Sequence, residues 1–204
     1  MRNRVPTHKN SYESLVKTIA RQVELVEGEL GQKGMVGLSI PGSISPRTGL
    51  HRNAHNVLSQ GKPFDRDLAM ALDRTLRFEN DGNCLAVSEA QDGAAAGANI
   101  VFGAILGTGC GGGIAIDGRA LRGANGIAAE WGHNPLPWRT VEEMEVDPCT
   151  CGMKSCNECF ISGTGFRNDY RHHTGDDLSG SQIIQKAQDG DPAAAACFDR
   201  YCDR

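Results

Sequence analysis

Four cysteines, Cys149, Cys151, Cys156 and Cys159, fall within the eleven residues CTCGMKSCNEC (149 to 159). The chain has eight cysteines in all, and the other four (Cys84, Cys110, Cys197, Cys202) are scattered. In a secreted chain eight cysteines would suggest a disulfide framework. In a reducing compartment such a knot more often holds a metal. Cys-x-Cys-Gly-x3-Cys with one upstream imidazole supplies the four soft ligands of a tetrahedral zinc site. The expected set is His133, Cys149, Cys151 and Cys156, with Cys159 a spare buried thiol. Four protein ligands leave no open position for water, so this Zn2+ would be structural rather than hydrolytic. It would tie a long loop to His133 and orient Glu130 and Glu158, leaving the other ring nitrogen of His133 to donate to a substrate or a neighbouring acceptor.

Three further stretches could do chemistry. In EWGH (130 to 133) a carboxylate and an imidazole three residues apart could face one cavity, although an isolated histidine is usually structural. NDGN (80 to 83) reads on turn chemistry alone as a turn. Its place between a strand end and a helix start is where ligand sites of open α/β sheets gather, and there the Asp81 carboxylate could take the proton of an attacking hydroxyl. GTGCGGG (107 to 113) could let backbone amides cradle phosphate oxygens, because glycine has no Cβ to hold them away. It lacks the Walker lysine spacing and a helix-opening context, so a merely tight hairpin explains it equally well.

The elements that must position these residues alternate. Leu15, Val16, Ile19, Ala20, Val23 and Val26 recur at helical spacing between Ser11 and Leu30, with Ser11 as N-cap. MVGLSI (35 to 40) reads as a buried strand stopped by Pro41-Gly42. A helix over 63 to 76, a short strand RFEN (77 to 80) and a helix over 83 to 98 follow. The apolar run 100 to 107, a turn of mostly glycine, and GIAID with Asp117-Gly118 form hairpins. A loop-rich middle holds the cysteines, and SQIIQKAQ and PAAAACFDRYCD close the chain as helices. The fold class is α/β with a sheet extended by hairpins. A boundary near residue 99 divides it into a lobe at 1–99, carrying Asp81 and the polar loop behind Gly42, and a lobe at 100–204, carrying the glycine turn and the zinc site.

Composition excludes several classes. With 204 residues, 39% hydrophobic and 23% charged, the chain can bury a real core. A formal charge of −4 lacks the basic excess that nucleic-acid backbones require. No apolar run spans a bilayer, so no membrane is expected, and the chain reads as cytoplasmic.

Together, GLSIPGSISPRTG, ENDGNCLAVSEAQDGAAAGA, GAILGTGCGGGIAIDGRALRGANGIAAEWGHNPLPW, CTCGMKSC-E and FISGTGF, in this order, closely resemble the ROK (repressor, open reading frame, kinase) family of sugar kinases. EWGHNPLPW and PGSISP look most like its bacterial fructokinase or mannofructokinase branch. The resemblance implies an actin-like ATPase (ribonuclease H-like) fold with two lobes, and ATP-dependent phosphorylation of a hexose, with fructose expected. Carried over residue by residue, it implies that Asp81 is the general base for the sugar 6-hydroxyl. It implies that Asn80, Gly42, Asn53, Glu130, His133 and Glu158 bind the sugar, and that Thr108, Gly109 and Gly111 belong to a phosphate loop for ATP and Mg2+. Homo-oligomers are usual among such proteins.

The chain also departs from that pattern. It contains no Asp-x-Gly-Gly-Thr run, the family's first phosphate loop, so both ends read as truncated and the 204 residues alone are expected to be a poor kinase. The sugar-loop Asn-Ala-Asn becomes Asn53-Ala54-His55, and Ser155 stands where a glycine is usual. Two other functions compete. A sugar-sensing repressor would need a helix-turn-helix, and residues 11 to 30 are one helix rather than two. A non-catalytic sugar-binding or dimerisation fragment would bind sugar without ATP.

Overall fold

The computed structural model describes residues 2–7, 11–54, 58–146 and 148–204, so His55 of the sugar loop lies outside the described residues. The chain divides into two compact units, Met1–Ile100 with Ile114–Ala128, and Val101–Gly113 with Ala129–Arg204.

The first unit is built on helix α1 (Tyr12–Leu30), whose N-cap Ser11 accepts from the Ser14 N–H at 3.1 Å. Its Leu15, Val16 and Ala20 pack with Phe64, Leu68 and Leu72 of α2 (Phe64–Leu72) and with Ile40 of strand β1 (Gly37–Ile40). Strand β2 (Ser43–Ile44) runs antiparallel to β3 (His51–Arg52), with Ser43 opposite Arg52. This ribbon is anchored by His51, which is 1% exposed, stacks on Phe64, and has both ring nitrogens hydrogen bonded, to Ser59 Oγ and the Pro41 carbonyl, each at 2.8 Å. Strand β4 (Arg77–Asn80) lies parallel to β1, with Ile40 opposite Asn80. Helix α3 (Asp81–Gln91) begins without a linker.

Two helices are shorter than their sequence spacing predicts. Helix α2 ends at Leu72 rather than at residue 76, because Asp73 turns left-handed (φ 48°). Helix α3 ends at Gln91 rather than at residue 98. Beyond it the Ala/Gly run is largely exposed and has no face to bury, and Glu89 takes the Ala94 N–H at 2.7 Å.

Strands β5 (Ile100–Leu106), β6 (Cys110–Ile116) and β7 (Arg119–Ala120) are ordered β5-β6-β7, and the division between the units cuts across the two long strands. Cys110 to Gly113 are strand, so the turn is confined to Gly107–Gly109 rather than spanning the glycine run.

The second unit also holds the short helices α4 (Val141–Met144) and α5 (Glu158–Ile161) and the longer α6 (Gly163–Thr174), α7 (Gly180–Gln188) and α8 (Pro192–Asp203). Phe166, Tyr170, Ile183, Ala194 and Cys197 form its core. Asp169 joins Arg200 at 2.6 Å and Arg204 at 2.9 Å, and Arg204 reaches Glu143 at 2.7 Å, tying α4, α6 and α8 together. The sequence reading leaves α6 within a loop-rich middle. Its sequence, GTGFRNDYRHHT, buries large side chains only at Phe166 and Tyr170, too few for a visible stripe. Among the described residues, no helix is long and apolar enough to cross a membrane.

Candidate functional site

In the first unit the parallel strand β4 delivers Asn80 and Asp81 at its carboxyl end. Asn80 is the N-cap of α3, its side-chain oxygen accepting from the Asn83 N–H at 3.2 Å. Its amide nitrogen donates to the Gly42 carbonyl at 3.0 Å. Asp81 is the first residue of the helix, and its Oδ1 accepts from the Gly82 N–H at 2.9 Å. Glu79 braces this junction, accepting from Asn83 Nδ2 at 3.0 Å and from Arg122 Nε at 2.7 Å.

Gly42 has φ +69°, and a Cβ there would overlap the carbonyl of Arg52 and the backbone of Asn53. Only glycine allows that approach. Asn53 is itself left-handed at φ 55°, a conformation asparagine tolerates better than most residues. The structure thus brings Gly42, Asn53, Asn80 and Asp81 together around one turn and one helix start.

In the second unit Gly107–Gly109 closes tightly, the Gly107 N–H donating to the Gly109 carbonyl at 3.0 Å. The first turn of α6 braces it. The Gly163 N–H donates to the Gly107 carbonyl at 2.7 Å, and Thr164 Oγ1 donates to the Thr108 carbonyl at 2.7 Å. Gly111 lies inside β6, where its carbonyl accepts from Trp131 Nε1 at 2.7 Å. Glu158 Oε2 accepts from the Cys110 N–H at 2.9 Å, next to Gly109. Burial, and then the Glu158 charge, push the Cys110 thiol up to about 11. Sequence reasoning assigned no role to Ser162, Gly163 and Thr164. Ser162 caps α6 by accepting from the Gly165 N–H at 2.9 Å, and the Ser-Gly-Thr-Gly run was the available signal.

The cysteine knot lies beside this turn. His133 ends a single helical turn, Trp131–His133, where Gly132 packs so tightly on Cys110 that a Cβ would overlap its carbonyl. Backbone bonds from Leu136 to the Ser155 carbonyl at 2.9 Å and from Asn157 to the Asn134 carbonyl at 2.8 Å hold His133 against Cys156. A turn closed by the Gly152 N–H on the Cys149 carbonyl, 2.8 Å, presents Cys149 and Cys151. The ligand atoms of His133, Cys149, Cys151 and Cys156 all lie within 4.8 Å of one another.

Two of these spacings match the edges of a tetrahedral dication site. With Zn–S near 2.3 Å and Zn–N near 2.05 Å, tetrahedral edges are about 3.8 Å for sulfur–sulfur and about 3.5 Å for sulfur–nitrogen. Cys151 and Cys156 sulfurs are 3.6 Å apart, and Cys149 Sγ is 3.5 Å from His133 Nδ1. All three cysteines are free thiols, so no disulfide competes for them. Burial first, then the Cys151 sulfur, push the Cys156 thiol up to about 12, and a dication held here would reverse that by ligating thiolate. Cys159 stays outside the cluster, half-buried rather than fully buried. Glu158 touches the knot through Oε1, 3.7 Å from Cys149 Sγ. Ser155 is left-handed at φ 58°, which accounts for the glycine usual at this position, and its hydroxyl offsets the strain by donating to the Glu143 carbonyl at 2.7 Å.

Comparison with known proteins places these features in context. The ROK family profile matches residues 1–204. An N-acetyl-D-glucosamine kinase of Pectobacterium atrosepticum is 38% identical over 204 residues, covering 98% of this chain and 67% of that protein. Among solved structures, a ROK hexokinase from Thermus thermophilus superposes with a TM-score of 0.80 at 29% identity, covering 97% of this chain and 64% of the other. A ROK family glucokinase from Streptomyces griseus, solved with glucose and AMPPNP, gives 0.73 at 27% identity, covering 97% and 66%. The chain therefore spans about two thirds of the length of the proteins it matches.

Proposed function

Because the chain belongs to the ROK family and has its actin-like, ribonuclease H-like ATPase fold, we propose that it carries out ATP-dependent phosphorylation of a hexose. The observation that carries this reading is Asp81 at the first turn of α3, directly after a parallel strand and beside Asn80, Gly42 and Asn53. Asp81 takes the proton of the sugar 6-hydroxyl as its oxygen attacks the γ-phosphorus. The new O–P bond forms as the bond to the β-phosphate oxygen breaks, and ADP leaves. Asn80 and Asn53 hold sugar hydroxyls, with Glu130, His133 and Glu158 proposed as further sugar ligands from the resemblance. Thr108, Gly109 and Gly111 are proposed to meet the phosphates, and Mg2+ would neutralise charge on the transferred group. A structural Zn2+ held by His133, Cys149, Cys151 and Cys156 would fix the loop that carries His133.

Two sugars remain in contention. The motifs EWGHNPLPW and PGSISP favour fructose. The name of the 38% identical relative favours N-acetyl-D-glucosamine. A coupled assay of ADP release with fructose, N-acetylglucosamine and glucose decides between them. The expected result is saturable, sugar-dependent release of ADP. A rate with every sugar no greater than that of an Asp81→Asn variant contradicts the proposal.

A further inference from the structure

Two residues to which the sequence reading gave no role sit between the proposed sugar ligands. Ser43 directly follows Gly42, and Arg52 directly precedes Asn53. They face each other across the β2–β3 ribbon, so their side chains emerge on the same side. That side is opposite His51, which is locked into the core by Ser59 and Phe64. Ser43 Oγ borders Gly126, 3.9 Å from where a Cβ would lie.

The donors on this side are buried and unmatched. Ser43 Oγ and Arg52 Nε and Nη2 have no hydrogen-bond partner among the described residues, and no described carboxylate forms an ion pair with Arg52. A guanidinium carries only donors, in a planar fork made for two oxygen acceptors. Leaving such a group dry and unpaired costs free energy that an apolar side chain of similar size would not. Asp65 Oδ1 and Asn83 Oδ1 are also buried without a partner among the described residues, but both are acceptors rather than donors. Arg122 pairs with Glu79 at 2.7 Å, and His51 is fully bonded.

We infer that Ser43 and Arg52 are substrate-contacting residues that select the sugar, donating to two oxygens of a hexose held by Gly42, Asn53 and Asn80. The inference rests on the hexose-kinase reading and deepens it. The fork rewards a sugar that presents two acceptor oxygens at the right spacing and leaves its own donors unpaired against one that does not. Selection by this pair is therefore set by what the sugar offers at that wall rather than at the hydroxyl that Asp81 deprotonates.

The test combines stability and binding on the full 204-residue chain. Arg52→Met keeps the length of the side chain and removes the unmatched donors. In the absence of sugar it is expected to melt about 2 °C or more above the unaltered chain. By calorimetry with fructose, N-acetylglucosamine and glucose, it is expected to lose affinity about tenfold or more for whichever sugar the unaltered chain prefers, with a smaller loss for the others. Ser43→Ala is expected to lower the same affinity by a lesser factor, and Arg52→Lys, which lacks the fork, to restore it only in part. A lower melting temperature for Arg52→Met means that the guanidinium has a partner inside the protein and overturns the inference. So does equal weakening for all three sugars. In both cases the kinase reading stands if the unaltered chain binds sugar. An unaltered chain that binds none of the three overturns both.

Discussion

The two regions proposed to carry chemistry are held by different means. At the β4–α3 junction, Asn80 and Asp81 are set by regular structure: a parallel strand register, an N-cap and a glycine contact fix the backbone to which the carboxylate is attached. Around the cysteine knot, the described residues between 145 and 157 contain no helix or strand element, and a few backbone bonds and the four candidate ligand side chains gather the loop. The first region draws its order from packing of α1 and α2 beneath it. In the second, the proposed cation would hold as thiolate the Cys156 sulfur that burial otherwise keeps protonated. The proposed catalytic carboxylate thus sits on a rigid frame, whereas the loop without a core would be made rigid by the proposed metal.

The sharpest way to break this comparison is to remove the metal. Elemental analysis should find one zinc per chain, and Cys156→Ala should lose it. Structural zinc sites contribute on the order of 10 kcal/mol of folding free energy in small domains, so the effect on this loop should be large. Hydrogen exchange should rise by orders of magnitude across 131–157 while α1 and β1 keep their protection. Equal loss of protection in both units would mean that the regions are not held separately.

Next in size is Asp81→Asn, which preserves shape and removes the proposed base. Sugar-dependent turnover should fall by about 10²–10⁴, with zinc content unchanged. A smaller effect is expected at the Glu27–Arg74 pair of the first unit, whose second contact is 2.7 Å. Arg74 holds the Glu27 carboxyl at about 2 instead of its ordinary 4.5. The unfolded chain therefore binds the extra proton, so the pair's contribution is complete above about 4.5 and is lost as pH falls toward about 2. Acid unfolding of Glu27→Gln should be less steep through that window, and an unchanged profile would show that the pair contributes nothing. Smallest of all is Ser155→Gly. Relief of the left-handed strain is offset by loss of the Glu143 hydrogen bond and by a more flexible unfolded chain, so thermal stability should move by less than about 1 kcal/mol.

The sequence exposed the first region because its signals are periodic and local. The α1 stripe, the MVGLSI run and RFEN before NDGN each state an element, and NDGN falls where a strand gives way to a helix. The knot was legible for another reason: sulfur and imidazole at metal spacing need no periodicity to be read. What stayed hidden depends on distant contacts. Helix α6 has two large buried anchors and an otherwise polar surface, so its helical period is faint, yet its first turn supports the Gly107–Gly109 loop. The cysteine and glycines at 110 to 113 read as turn residues because nothing local reveals Trp131 lying across them. Ser43 and Arg52 sit in a polar stretch, where only the structure shows that their donors are buried.

The central claim is that the Asp81 region is a sugar site, and isothermal titration of the zinc-loaded chain with fructose and then N-acetylglucosamine tests it most directly. The account predicts saturable binding of one sugar per chain, weakened in Arg52→Met. A chain that holds one zinc, and is therefore folded around the knot, yet gives no binding heat with any hexose would contradict it.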